Sequence, residues 1–163
     1  ILGDSKNIDK LIDKKRKFDL IFTCPPYYNL EVYSESNEDG STKQTYEDFI
    51  IWYRKLFGKT VKYLHDNRFV IVVVGEIRNM KTGVYYNFVG DTIKCFMDLG
   101  LHYFNEALLL TALGSAPLRA KNQFKSGRKL CKTHQTVLMF WKGDPKEIKK
   151  QFSKLSCSFG RVQ

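Results

Sequence analysis

Apolar residues arrive along this chain in two rhythms, one helical and one extended. Ile8, Leu11 and Ile12 recur at helical spacing among Lys and Asp, which predicts a short amphipathic helix over 7–17. Phe18–Thr23 is an apolar run rich in β-formers and reads as the first clear strand. Residues 28–44 are polar, with Ser, Asn, Asp and Gly, and read as a long loop. Thr45, followed by Glu47 and Asp48, supplies an N-cap with early acids. Phe49, Tyr53, Leu56, Thr60 and Leu64 then keep one face of a helix until Asp66 and Asn67 break it. Residues 68–75 are apolar on both faces, as a central parallel strand should be. A further helix is predicted over 87–99, with Phe88, Val89, Ile93, Phe96 and Met97 inward and Gly100 as its stop. Strands are predicted over 104–111 and 136–141, and Pro145 begins a basic helical tail.

Strand, helix, strand, helix, strand, loop, strand is an α/β doubly wound pattern. No helix is predicted between the last two strands, so an antiparallel hairpin fits that pair. The 163 residues make a single domain over 1–163, without internal repeats or low-complexity segments. Aromatic residues reach 14%, which argues for a packed core and against disorder. The formal net charge of +10 points to a polyanionic partner, with nucleic acid the first candidate. Cys24, Cys95, Cys131 and Cys157 are scattered, and free thiols of this kind imply a reducing cytoplasm. Cys131 and His134 have one ligand-like spacing, but no second pair answers them, so no metal site is expected. No apolar run is long enough to span a membrane, and no signal peptide is visible. The start at Ile1, without Met, is expected of an incomplete or excised chain.

Chemistry concentrates where the first strand ends. Thr23 runs into Cys24, Pro25, Pro26, Tyr27 and Tyr28, so the strand stops dead and aromatic rings stand at its carboxyl end. In open α/β sheets that edge is where ligands bind. A rigid proline corner with a stacking aromatic suits a planar group such as a flipped-out nucleobase. One helix upstream, Gly3, Asp4 and Ser5 can close a tight turn with a carboxylate free to face a ligand amine. Residues 118–132 carry Arg119, Lys121, Lys125, Arg128, Lys129 and Lys132 with no acid and little periodicity. They read either as a basic, flexible loop meeting phosphates or as a solvated surface loop. His134 opens the last strand and is either structural or part of a pocket. Glu76 and Arg78, at the end of the central strand, either shape a site or pair with each other.

The corner resembles motif IV of the DNA amino-methyltransferases, whose usual form is Asp, Asn or Ser, then Pro-Pro, then Tyr or Phe. Gly3-Asp4-Ser5 resembles motif III, and His134-Gln135 resembles the opening of motif VIII. With residues 24–34, Val74-Gly75, Arg119-Ala120 and 134–143, the chain resembles a phage and bacterial modification-methylase subgroup with a Cys-Pro-Pro-Tyr motif. The resemblance implies a Rossmann-like, S-adenosylmethionine-dependent methyltransferase fold. It implies methyl transfer to the exocyclic amine of adenine (N6) or cytosine (N4) in double-stranded DNA with a flipped target base. The setting it implies is the cytoplasm of a bacterium or a phage-infected host cell. Cys24, Pro25, Pro26 and Tyr27 would be the catalytic group, and Gly3, Asp4 and Ser5 would meet the cofactor. Tyr28, His134 and the basic residues Arg119, Lys121, Lys125, Arg128, Lys129 and Lys132 would meet the target base and DNA.

Two departures qualify the expected chemistry. Cys24 stands where the family has an oxygen or amide acceptor, and a thiol sulfur accepts weakly. The carbonyl of Pro25 would therefore carry more of the load. An alternative is cytosine-C5 methylation with Cys24 as nucleophile, although in those enzymes the cysteine follows a proline rather than preceding one. Moreover, no G-x-G occurs anywhere in the sequence, so the first strand and glycine-rich cofactor loop of the fold are missing. That loop is expected upstream of Ile1 or on a partner chain, which could be a second copy in a homo-oligomer. The remaining alternative is a non-catalytic nucleic-acid-binding module.

Overall fold

The computed structural model describes residues 1–28, 43, 45–111, 114 and 116–154. Its strands are β1 (Phe18–Thr23), β2 (Leu64–Val74), β3 (His102–Leu110) and β4 (His134–Lys142). Its helices are α1 (Ile8–Leu11), α2 (Tyr46–Thr60), α3 (Phe88–Asp98), α4 (Ala116–Gly127) and α5 (Ile148–Gln151). The strands form one sheet in the order β1-β2-β4-β3. β1 and β2 run parallel, joined by a crossover that includes α2, whereas β4 is antiparallel to both β2 and β3. The α/β reading and the antiparallel final pair thus hold, and the central strand has one parallel and one antiparallel neighbour.

Register explains which residues go inside. Val70, Val72 and Val74 stand opposite Phe140, Leu138 and Thr136, and all six are buried under α2 and α3. Phe49, Tyr53 and Phe57 descend from α2, and Phe88 and Phe96 from α3, to meet them. Phe96 stacks on Phe140 at 4.6 Å. The alternate residues of the strands form the second face. There Phe69 meets Trp141 at 4.7 Å, and Phe152 from the tail stacks on Phe69 at 5.9 Å. Leu20 and Phe22 of β1 share that face and remain 51% and 65% exposed.

Several boundaries differ from the sequence reading. α1 is a single turn, because the apolar spacing that predicts it is not sustained beyond Ile12. Leu64 belongs to β2 and not to the preceding helix, since a 3-10 turn at 61–63 redirects the chain first. Asn67 adopts φ 57, and the β1–β2 register slips beside it, so the Asp66-Asn67 break is an irregularity within a strand. In α3 the inward side holds Thr92 and Cys95, whereas Met97 is exposed.

The helix ends follow their sequence signals. Thr45 Oγ1 accepts from the Asp48 amide (3.1 Å), capping α2, and donates to the Asp48 carboxylate (2.8 Å). Gly100, at φ 86, lets Leu101 N–H reach back to Phe96 O (3.1 Å) and ends α3 in a Schellman turn.

Phe49 is fully buried among five aromatic rings. Phe49→Ala is expected to cost about 3–5 kcal/mol in denaturant unfolding. Ile51→Ala, on the exposed side of the same helix, should stay within about 0.5 kcal/mol.

Candidate active site

β1 delivers the proline corner to the carboxyl end of the sheet, and packing then fixes it. Cys24 is exposed, Pro25 buried, and Pro26 and Tyr27 half-buried. The Tyr27 ring stands edge-on to Phe88 at 5.8 Å. Its hydroxyl accepts a hydrogen bond from Gln135 Nε2 at 2.8 Å, across more than a hundred residues of chain. Beneath the ring lies Gly75, where an added Cβ would meet the hydroxyl at 3.6 Å and Gln135 at 3.8 Å. Tyr27 is therefore held by β4 through Gln135 and by α3 through Phe88.

Tyr28 goes the other way. It is 5% exposed, between Tyr46 (5.8 Å), Phe49 (5.6 Å) and Tyr86 (5.7 Å). Burial raises its hydroxyl above the ordinary tyrosine range. Tyr28 belongs to the core, which corrects its assignment to the target base. The reason is the ring cluster waiting for it on α2 and just before α3.

The structure does not bring Gly3, Asp4 and Ser5 to the corner. Asp4 is exposed, and its carboxylate accepts from the Lys6 amide at 2.9 Å, capping its own 3-10 turn. That segment sits against the carboxyl end of α2, where Lys59 Nζ donates to Lys6 O at 2.7 Å. The corner lies at the amino end of α2, beside Tyr46. The 15 residues of that helix separate the two by about 22 Å.

The basic stretch is a helix as far as Gly127 and irregular from Arg128 to Thr133, so the loop reading is corrected for its first ten residues only. Leu118, Arg119, Ala120, Lys121, Gln123 and Lys125 are all strong helix formers, and Pro117 sits at the second position of α4, where its missing N–H costs nothing. Arg119, Lys121 and Lys125 are exposed on it. Arg128, in the left-handed region at φ 53, folds back and donates to Phe124 O at 3.2 Å. Lys129 and Lys132 are half-buried, as is His134 at the start of β4. The adjacent Gln135, rather than His134, makes the link to Tyr27. The predicted loop over 28–44 lies outside the described residues apart from Tyr28 and Lys43.

Glu76 and Arg78 do not pair. Glu76 spans the amino end of α3, accepting from the amides of Phe88 (3.0 Å) and Val89 (3.2 Å). A carboxylate there also complements the helix dipole. Arg78 opens a small hairpin over 77–86, in which Arg78 bridges to Tyr85. No period of hydrophobic residues marks this hairpin, and only Asn79 and Gly83 announce its turn.

A fixed proline corner and a positioned aromatic ring suit a planar base, and the exposed basic residues of α4 suit a polyanion that carries it. The model of the N6/N4 methyltransferase family, described as DNA methylase, matches residues 18–157. The chain belongs to that family. Among curated proteins nothing matches.

Solved structures agree in fold with the family. A protein of Thermus thermophilus described as a DNA modification methylase aligns at 17% identity with a TM-score of 0.62. The alignment covers 95% of this chain and 60% of that one. The same protein complexed with S-adenosyl-L-methionine gives 16% identity and the same TM-score, over 95% and 59%. The cytosine-N4-specific PvuII DNA methyltransferase gives 17% and 0.59, over 99% and 57%. The chain thus spans about three-fifths of the length of these structures. Among the described residues, no helix is long and apolar enough to cross a membrane.

Two measurements probe this site. Glu76→Ala removes both amide contacts and should cost about 1–2 kcal/mol of stability, read from the thermal midpoint. Burial pushes the Cys95 thiol up to about 11, so below that pH it stays protonated as well as enclosed. Alkylation at pH 8 with mass-spectrometric mapping should therefore label exposed Cys24 well before Cys95, which reacts only on unfolding.

Proposed function

We propose that this chain is the target-base portion of a DNA methyltransferase that acts on the exocyclic amine of adenine or cytosine, with S-adenosylmethionine as methyl donor. The observation that carries the reading is the Cys24-Pro25-Pro26-Tyr27 corner at the carboxyl end of β1, locked by the Gln135–Tyr27 bond, in a chain of this family.

The exocyclic nitrogen is a poor nucleophile because its lone pair is delocalised into the ring. A site improves it by accepting its hydrogens and drawing the nitrogen toward a tetrahedral geometry. Here the Pro25 carbonyl and Cys24 Sγ are the acceptors, and Tyr27 stacks on the extruded base. Most of the gain comes from placement and from dipoles fixed in advance. The tie to Gln135 supports that role, since it removes freedom from the ring before any base arrives. Cys differs from Ser by one heavy atom, which keeps the corner close in shape to the Ser-type motif.

Fit to the methyl donor is a separate matter. The acid that the resemblance assigns to the cofactor, Asp4, caps its own turn at the far end of α2, and the sequence has no G-x-G. Among the described residues, Asp4 thus does not stand with the corner as one donor site. In this reading the donor site is completed by other polypeptide, from the same protein or a partner chain. The outer edge of β1 and its exposed Leu20 and Phe22 support that reading.

Methyl transfer from labelled S-adenosylmethionine to duplex DNA, followed by nucleoside analysis, tests the proposal in the full-length protein. Label in N6-methyladenine or N4-methylcytosine is expected, and label in 5-methylcytosine would overturn it. Cys24→Ser should retain activity to within about tenfold, and Tyr27→Ala should lower kcat/KM by about a hundredfold. A C5 enzyme would instead lose all turnover with Cys24→Ser.

A further inference from the structure

Beside the corner stands the hairpin over 77–86, stiffer and more apolar at its tip than a connection between β2 and α3 requires. Three backbone bonds close it, Tyr86 N–H to Ile77 O (2.9 Å), Asn79 N–H to Val84 O (2.8 Å) and Gly83 N–H to Asn79 O (2.7 Å). Asn79 Oδ1 accepts from the amides of Lys81 (2.9 Å) and Thr82 (3.1 Å) and holds the turn. The Arg78 guanidinium lies 3.7 Å from the Tyr85 ring centroid and donates to Gly83 O at 2.8 Å. At its base Tyr86 stacks on Tyr46 at 4.4 Å, and Tyr86 also touches Tyr28. The tip nonetheless leaves Met80 79% and Val84 65% exposed.

The surroundings are cationic. No Asp or Glu lies between Glu76 and Asp91, nor between Glu106 and Asp144. The second stretch contains all of α4, where Lys121 and Lys125 stand one turn apart and exposed. The two pieces touch, because a Cβ on Gly83 would meet Lys129 Cε and Nζ at 3.1 Å. The hairpin thus meets the basic stretch at Lys129, two residues past the end of α4, while its base is anchored through Tyr86 on the core rings Tyr28 and Tyr46.

We propose that this hairpin and α4 together grip duplex DNA around the extruded base. Lys121 and Lys125 contact backbone phosphates, while Met80 and Val84 press between base pairs and support the opened stack. Apolar wedges on cationic supports are how proteins stabilise kinked or unstacked DNA, and a basic helix supplies the phosphate contacts. The inference rests on the reading of this chain as acting on DNA, but it concerns residues outside the corner and does not need transfer to occur.

The test uses the full-length protein and fluorescence anisotropy on two labelled duplexes of mixed sequence, one fully paired and one with a central mismatch. Lys121→Ala with Lys125→Ala should reduce the slope of log affinity against log salt by about 2, close to 0.9 per lost phosphate contact. Met80→Ser with Val84→Ser should weaken binding to the paired duplex by roughly tenfold and to the mismatched duplex much less, because the mismatch has already lowered the unstacking cost. All four side chains are exposed, and circular dichroism melts should match wild type. An unchanged salt slope, or equal losses on both duplexes, would overturn the inference. Binding that shifts as expected in a protein without methyl transfer would leave this inference standing and overturn the catalytic reading. Transfer that proceeds with unchanged binding in both variants would do the reverse.

Discussion

Phe49 is the residue through which the site is assembled. Its ring touches Tyr28 from the corner, Tyr46, Trp52 and Tyr53 from its own helix, and Phe88 from α3. Edge and tilted ring contacts contribute about 0.5–1.5 kcal/mol each beyond the area they bury. Their larger effect here is geometric. A chain leaving β1 at two prolines has no sheet partner to steer it, and the buried Tyr28 beside Phe49 supplies that steering. Once Tyr28 is seated, Tyr27 must face the next layer, where Phe88, Gly75 and Gln135 receive it. The site thus inherits its precision from an aromatic core that lies beneath it.

Polar ties then set what rings alone leave loose. Gln135 fixes the Tyr27 hydroxyl from β4, Glu76 pins the start of α3 to the end of β2, and the Tyr46 hydroxyl donates to Asp91 at 2.8 Å between α2 and α3. Burial and that carboxylate together hold the Tyr46 hydroxyl far above the ordinary tyrosine range, which favours its role as the donor in this bond. Each tie joins two elements that already touch through apolar side chains. Each therefore costs little extra ordering and removes the sliding that non-directional packing permits.

The parts of this fold that were legible in the sequence are those in which one residue's neighbours along the chain decide its fate. Phe18–Thr23 reads as a strand because β-formers run unbroken to a proline pair, and the helix from Thr45 begins at a cap whose partner is three residues away. Long-range contacts decided the rest. Two consecutive tyrosines look alike in sequence, yet Tyr27 is half-buried at the edge and Tyr28 is core, because Tyr28 enters the rings of Tyr46, Phe49 and Tyr86. Residues 118–132 lack apolar periodicity, which argued for a loop, but a surface helix with little to bury needs propensity more than periodicity. Gln135 was visible only as the neighbour of His134. Its role depends on a partner in the corner after β1, Tyr27, that no local pattern can name. The hairpin escaped for the opposite reason, since its stabilising contacts are local but its apolar residues point outward.

Cys24 is best understood through what surrounds it. A thiol is a weak acceptor, so a site that depended on this side chain would be poorer than its oxygen or amide counterparts. In the proposed chemistry the weight falls elsewhere. Pro25 is buried, and two consecutive rings restrict the backbone that carries its carbonyl. A backbone acceptor of this kind cannot be removed by changing a side chain, and its direction is set by the same packing that seats Tyr28. The first position of the corner then has only to avoid clashing with the base and to offer modest polarity, which Cys and Ser do almost equally well. In the proposed chemistry the backbone, held by Phe49 and Gln135, is the principal acceptor, and the variable side chain tunes it.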